Sequence, residues 1–350
     1  MDFALSDEQE ALAEAERAWL TRNDPLEARR PSLDDGPARL TPADIRHLAE
    51  SGIIGLLTRD LGGTHVDLAV LVEEHGRAGS SVPLAELAVA ARLLELLDHP
   101  AREDAESGAE LVLPALGSME DPALHAEIDG DSMRLSGRTA PVTGLLDADH
   151  VLLVAEAASG TEVAAVLPMG AVTVWTLETL DLTRSWSVID VDVTLGSGEW
   201  RTLEAGTAAY VHDELATYRA FDALGSAARL VDLTVDYAGN RQQFGRPIAS
   251  FQAIKHHCAN MALSTEAARA ALWAAAVALD DDTDTRSAAV SAAAAYAGDG
   301  TSTTAQTALQ VHGGIGFTWE HDLHLLLRRI KVDELLDGTV SFHRRRLVAV

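Results

Sequence analysis

Three short stretches carry residue types that can do chemistry. Near the C-terminus, "KVDELLDGTVSF" places the carboxylate of Asp337 directly before Gly338 and Thr339, just after a helical run. An acid there is either a solvated helix stop or a base held within hydrogen-bond reach of a proton. Further back, "NRQQFGRPIASFQ" sets Arg241, Phe244, Gly245, Arg246 and Pro247 between two long helical runs. It reads as a plain helix–turn–helix join, since Pro247 cannot continue a helix and Gly245 frees the turn. Two arginines beside a helix start also suit a pyrophosphate. The third stretch, "LQVHGGIGFTWEHD", has Gly313, Gly314 and Gly316 after a helix. These glycines are a helix cap with a tight loop, or a place where backbone approaches a cofactor closely with Gln310 beside it. The spacing is not GxGxxG after a strand, so a Rossmann reading fails.

Other reactive types have bland readings. His256, His257 and Cys258 are consecutive on a helix and point about 100° apart, which does not suit one metal ion. His312 caps its helix, and Glu320 complements a helix N-terminus. "HRRRL" at residues 343–347 is either a basic tail against an acidic surface or a grip for an anionic coenzyme A. No metal site is expected.

The elements that must position these groups follow from periodicity. The chain has 350 residues, is 47% hydrophobic and carries a formal charge of −27. That charge repels nucleic acid and anionic membranes, so neither is an expected partner. The single cysteine excludes a disulfide framework. With no basic leader and no long apolar run, the expected compartment is the cytoplasm. Residues 1–110 read as helices: Ser6 with Gln9 makes a capping box, Thr41-Pro42 with Asp44 starts a helix that Gly52 stops, and Thr64 and Gly79 bracket another. Residues 111–204 alternate with period two around turns at Asp129-Gly130 and Ser159-Gly160, implying six to eight strands in a small sandwich or barrel. Residues 205–350 return to a helical period in four long runs, the third weakened by Gly298 and Gly300, which predicts an antiparallel four-helix bundle. The expected fold class is a multidomain α+β chain: helical domain, β domain, helical bundle.

"RQQFGRPIASFQ", then "QVHGGIGFTWE", then an acid before Gly-Thr together resemble the acyl-CoA dehydrogenase family. "DLTRSWSVIDVDV" resembles that family's segment near the end of its β domain, and the helix–β–helix order is also the family's. The likeness is to the short branch for bulky, steroid-type acyl groups in actinobacteria, where two unlike subunits often assemble. The resemblance implies bound FAD, an acyl-CoA substrate, an electron-transfer flavoprotein as acceptor, and a homo- or heterotetramer. It implies α-proton abstraction by a carboxylate with hydride passing to flavin N5. Carried over by position, Asp337 falls on the catalytic base. Arg241, Phe244, Gln310, Gly313 and Gly314 fall on FAD contacts reaching in from a neighbouring subunit. Thr339 falls on the hydroxyl that touches FAD after the base, and Thr143 on a flavin contact.

The sequence also departs from the family. Asp337 replaces a glutamate and is shorter by about 1.5 Å, where a misplacement of about 1 Å can cost on the order of a hundredfold in rate. The alternative base position on the long helix is Leu215, with Glu214 beside it but facing another side. The TEPxxGSD stretch is missing, with "VLPALGSMEDP" in its region, and the Trp-Ile-Thr flavin contact reads Pro141-Val142-Thr143. The losses fall where a subunit grips its own flavin. The first expectation is a dehydrogenase with Asp337 as base. The alternatives are a partner subunit completing a sister chain's FAD site, and an oxygen-reacting flavin enzyme on the same fold.

Overall fold

Reciprocal capping starts three of the N-terminal helices. In the computed structural model, which describes residues 5–30, 33, 36 and 39–348, Ser6 and Gln9 cap α1 (Asp7–Asn23), Thr41 and Asp44 cap α3 (Pro42–Glu50), and Thr64 and Asp67 cap α4 (His65–Ala78). Each box satisfies two amide donors that the first turn leaves unpaired. Gly79 closes α4 in the left-handed conformation. Between and after them lie α2 (Leu26–Arg29), α5 (Leu84–Leu96) and α6 (Arg102–Glu106).

The middle of the chain is one hydrogen-bonded sheet of nine strands, rather than the six to eight expected. They are β1 (Val112–Leu116), β2 (Ala123–Asp129), β3 (Ser132–Arg138), β4 (Val142–Thr143), β5 (His150–Ala157), β6 (Glu162–Pro168), β7 (Thr173–Leu177), β8 (Trp186–Leu195) and β9 (Arg201–Thr202). Two of the nine, β4 and β9, have two residues each, too short for alternation to reveal. The hairpins at Gly130 and Gly160 form as the turn residues dictate. Strand β5 pairs with β1, β2 and β6, and β8 pairs with β3, β4 and β7. A strand has two edges, so three partners mean that two share an edge and the sheet splits there.

Four helices make the C-terminal bundle: α7 (Thr207–Asn240), α8 (Gln252–Asp280), α9 (Arg286–His312) and α10 (Leu323–Asp333). Between α7 and α8, β10 (Gln242–Gln243) and β11 (Arg246–Pro247) form a small hairpin. Two expectations need correction. Gly298 and Gly300 do not interrupt α9. A Cβ at Gly298 would lie 2.7 Å from Val340 Cγ2, and one at Gly300 would lie 3.0 Å from Ser264 Oγ, so both glycines serve close packing. The fourth run is shorter than its pattern suggested, because Asp337 (φ 54°) and Gly338 (φ 101°) turn the chain into a last helix, α11 (Val340–Val348). No described helix is long and apolar enough to cross a membrane.

Two features join the N-terminal helices, the sheet and the bundle. First, α4 and α7 cross backbone to backbone. A Cβ on Gly76 would sit 2.1 Å from Asp222 O, and one on Gly225 would sit 1.9 Å from Glu73 O. Ser226 Oγ donates across the crossing to Gly76 O at 2.9 Å. Second, a buried layer of arginines and carboxylates lies between sheet and bundle. Arg184, before β8, donates to Asp181 at 2.6 Å and to Asp333 on α10 at 2.7 Å. Arg329, 1% exposed in its side chain, forks onto Asp222 of α7 with two 2.6 Å bonds. Burial alone would raise Asp222, but the Arg329 and Arg184 charges hold it below the usual carboxylate range. Burial, reinforced by the Asp222 charge, pushes Asp333 well above that range against the pull of Arg184. Asp333 Oδ2 is buried with no donor beside it, as suits a carboxyl whose proton is held.

Gly225→Ala should destabilise the fold by about 1–3 kcal/mol, because the helices must separate. Gly239→Ala on the same helix, where a Cβ meets nothing within 4 Å, should stabilise by about 0.5–1 kcal/mol. Thermal unfolding of the two variants should shift in opposite directions. Folded Asp333 retains a proton that an unfolded aspartate, with pKa about 3.9, has released by neutral pH. Stability should therefore fall as pH rises from about 4 through neutrality. Asp333→Asn, always neutral, should flatten that decline in melting curves recorded from pH 5 to 8.5.

Candidate functional site

Asp337 occupies a left-handed turn (φ 54°), a conformation that glycine, asparagine and aspartate accept most readily, and its carboxylate is largely buried. Its carbonyl accepts a bond from His343 Nε2 at 3.1 Å, while His343 Nδ1 faces Ser291 Oγ at 3.3 Å. Burial pushes His343 below the usual histidine range, which keeps the ring neutral with its proton on Nε2. The Asp337 carboxylate accepts from Arg219 Nε at 3.1 Å. Arg219 also donates to Glu86 of α5 at 2.8 Å, and its guanidinium lies 4.9 Å from the centroid of Trp186. Burial would weaken its charge, but Glu86 and Asp337 hold its pKa above the ordinary arginine value.

Sequence reasoning missed Arg219, Glu86 and Arg184. A signal existed for the first. Arg219 is four residues beyond Leu215 and so shares its helix face.

Thr143 and Leu215 are brought to the same place. With Glu86, Arg184 and Arg219 they line an enclosed space of about 20 Å³. Thr143 Oγ1 and the adjacent Ser187 Oγ are buried without partners. Such a space holds about one water, whereas ligand sites run to about 300–1,000 Å³. With Arg219 where it is, the space beside Thr143 is smaller than a flavin ring. Glu214 faces away, as expected. It forks onto Arg92 at 2.8 and 2.5 Å, fully buried, and burial raises its pKa.

Thr339 is engaged within the chain as well. Its amide and hydroxyl donate to Glu120 at 2.9 and 2.8 Å, and the hydroxyl accepts from Phe342 N at the start of α11. The Thr339 amide is the main reason Glu120 is held below the usual glutamate range. Glu120 comes from the "GSMEDP" loop, so the stretch standing in place of TEPxxGSD grips the turn after the acid. The basic tail is committed too: Arg344 pairs with Asp299, Arg345 with Glu120 and Arg346 with Asp213.

The other end of the bundle is open. Phe244 (φ 53°) and Gly245 (φ 78°) form the two-residue loop of the β10–β11 hairpin, as a type I′ turn requires. Phe244 is 90% exposed. Arg241 follows α7, its amide bonded to Tyr237 O at 2.8 Å. One turn back, the Tyr237 ring stacks on His312 at 4.5 Å, and its hydroxyl reaches His312 O at 3.4 Å. That stack fixes the end of α7, and with it Arg241, against the end of α9, which carries Gln310, Gly313 and Gly314. All three are exposed, and a Cβ at either glycine would meet nothing within 4 Å. Among the described residues Arg241, Arg246 and Lys255 here have no carboxylate partner, in a chain of net charge −27. Arg246 instead covers the Phe251 ring at 4.2 Å. His256 and His257 are exposed nearby, and no group of three or more metal-ligating side chains occurs among the described residues.

Residues 214–350 match the family model for the acyl-CoA dehydrogenase C-terminal domain. The chain is 33% identical to the acyl-CoA dehydrogenase FadE34 of Mycobacterium tuberculosis over 99% of its own length, but spans only 48% of that protein. It is 33% identical to the acyl-CoA dehydrogenase IpdE2 of the same organism, over 77% of this chain and 72% of that one. Its structure superposes on the ChsE4-ChsE5 complex from Mycobacterium tuberculosis with a TM-score of 0.90 and 25% identity, covering 100% of this chain and 98% of the other. A third of residues shared across nearly three-quarters of a relative, on a closely matching backbone, shows that the chain belongs to the acyl-CoA dehydrogenase family.

Proposed function

We propose that this chain is one subunit of an FAD-dependent acyl-CoA dehydrogenase assembly, and that it completes the flavin site of a sister chain. The carrying observation is the placement of Arg219. Its guanidinium is bonded to Asp337 and Glu86 and stacked on Trp186, and its side chain lines the small space beside Thr143. At the opposite end, the groups expected to reach a neighbour's FAD are exposed and without acid partners. When bound there, FAD would supply the hydride acceptor for α,β-dehydrogenation of an acyl-CoA thioester.

This chain's own residues have positioning roles. Arg241 offers a forked donor to a pyrophosphate. Phe244 offers a ring face for stacking. Gln310 offers a hydrogen-bonding amide, and Gly313 and Gly314 allow backbone approach. Asp337 and Thr339 act as parts of the internal latch with Arg219 and Glu120. The family's ordinary use of electron-transfer flavoprotein as acceptor would apply to the assembly. A relative about twice as long and a structural neighbour crystallised as a complex of two named chains support the paired arrangement.

One observation favours a second reading, in which the chain works on its own substrate. Arg219 lines both the space beside Thr143 and Leu215 and the one beside Asp337, so a shift of Arg219 would join them and leave an acid facing a pocket.

Two measurements separate these readings. The chain purified alone should show no flavin absorbance, and the co-purified assembly should be yellow and bleach anaerobically with acyl-CoA. Asp337→Asn should leave turnover of the assembly within about twofold, whereas loss of a true general base lowers it by about 10²–10⁴. A yellow single chain whose bleaching disappears with Asp337→Asn establishes the second reading instead. Arg241→Met should release flavin from the assembly, measured as the ratio of absorbance at 450 to 280 nm (about half or less of the parent value, since a charge-assisted fork contributes a few kcal/mol).

A further inference from the structure

A half-open cavity lies on another face of the fold, where α1 and α2 meet α4, α7 and α10. It measures about 250 Å³. Its apolar wall comes from Leu20, Leu26, Leu233 and Leu326, of which Leu20 and Leu326 are 1% exposed. Its charged wall is almost wholly neutralised. Arg17 pairs with Glu74 at 2.6 Å, Arg77 with Asp232, and Asp322 with Arg30. Asp24 is likewise engaged. Glu27 stands exposed at the rim.

Arg229 is the exception. It is half-buried in the cavity wall and makes no hydrogen bond, ion pair or ring contact among the described residues. A guanidinium has five donors in a fixed fork. With its neighbours paired to one another, this fork is left free for an anion entering the cavity. In so acidic a chain, where most arginines have found a carboxylate, an arginine facing a cavity without one is a binding group.

We propose that this cavity binds a small amphipathic monocarboxylate, with its carboxylate on Arg229 and its apolar body against the four leucines. Size and charge set the class. A protein cavity of about 150 Å³ accommodates benzene, so about 250 Å³ suits a body of roughly ten heavy atoms. With the other wall charges paired, a single free guanidinium suits one negative charge rather than a polyanion. One arginine matches one carboxylate. The site is independent of the flavin reading, since none of its wall residues belongs to the latch or to the hairpin end.

The test uses 4-fluorophenylacetate, followed by fluorine NMR on the full chain, together with any subunit that co-purifies with it. Saturable binding is expected, weakened at least about tenfold by Arg229→Met, because a charge-assisted pair contributes about 1.5–3 kcal/mol. The neutral 4-fluorophenylacetamide should bind at least about tenfold more weakly than the acid. Leu233→Trp, which fills the cavity while leaving Arg229 in place, should abolish binding, and it decides the matter if Arg229→Met does not fold. Absence of saturation at about 10 mM probe overturns the proposal, as does equal binding of acid and amide. Binding that survives Leu233→Trp overturns it as well.

Discussion

A layer of buried guanidinium groups holds this molecule together where its three regions meet. Arg184 stands before the last long strand, Arg219 on the first bundle helix and Arg329 on the fourth, and each reaches carboxylates on other elements. Charges removed from water are costly unless partners and hydrogen bonds replace the lost hydration. Here the forks, a retained proton on Asp333 and the Trp186 face between Arg184 and Arg219 supply that replacement. Such a layer contributes more to specifying one arrangement than to net stability. Removing any one member leaves a buried charge unpaired, so the register of sheet against bundle is narrowly defined.

That constraint bears directly on function. Relatives share the backbone, and here Arg219 of this layer narrows both the space beside Thr143 and Leu215 and the one beside Asp337. Arg219 links the acid to Glu86, and Glu120 grips the turn beyond it. The opposite end of the bundle has none of this closure. The Tyr237–His312 stack orders it from within, while Phe244, Arg241, Gln310 and the two glycines face outward. One end is thus closed by its own side chains, and the other leaves its arginine, aromatic ring and glycines exposed.

Much of the architecture was legible in local chemistry. Capping residues at Ser6, Thr41 and Thr64 act over three positions, so a short window reveals them. Glycine turns at Gly130 and Gly160 fix hairpins for the same reason. The stretch at Phe244-Gly245 was recognised as a join, though not as a hairpin, because two-residue strands carry no alternation to read. Harder to see were β4 and β9, whose pairing is decided by neighbours on β8 and β6 rather than by their own two residues. Gly298 and Gly300 misled for a related reason. Their cost to a helix is local, but the compensating approach of Val340 and Ser264 comes from distant elements.

The sequence by itself determined the order of helical, β and helical regions, the family, and which side chains stand ready at the hairpin and the glycine turn, because periodicity, caps and motif spacing are short-range properties. Tertiary structure alone decided what Asp337 touches. Its partner Arg219 comes from 118 residues away and Arg219's other acceptor, Glu86, from 251 residues away, and only packing three regions around one buried charge layer brings each pair within a hydrogen bond's length. The unpartnered state of Arg229 was hidden for the same reason. Whether an arginine has found an acid is a fact about what folding places beside it, not about the residues that flank it.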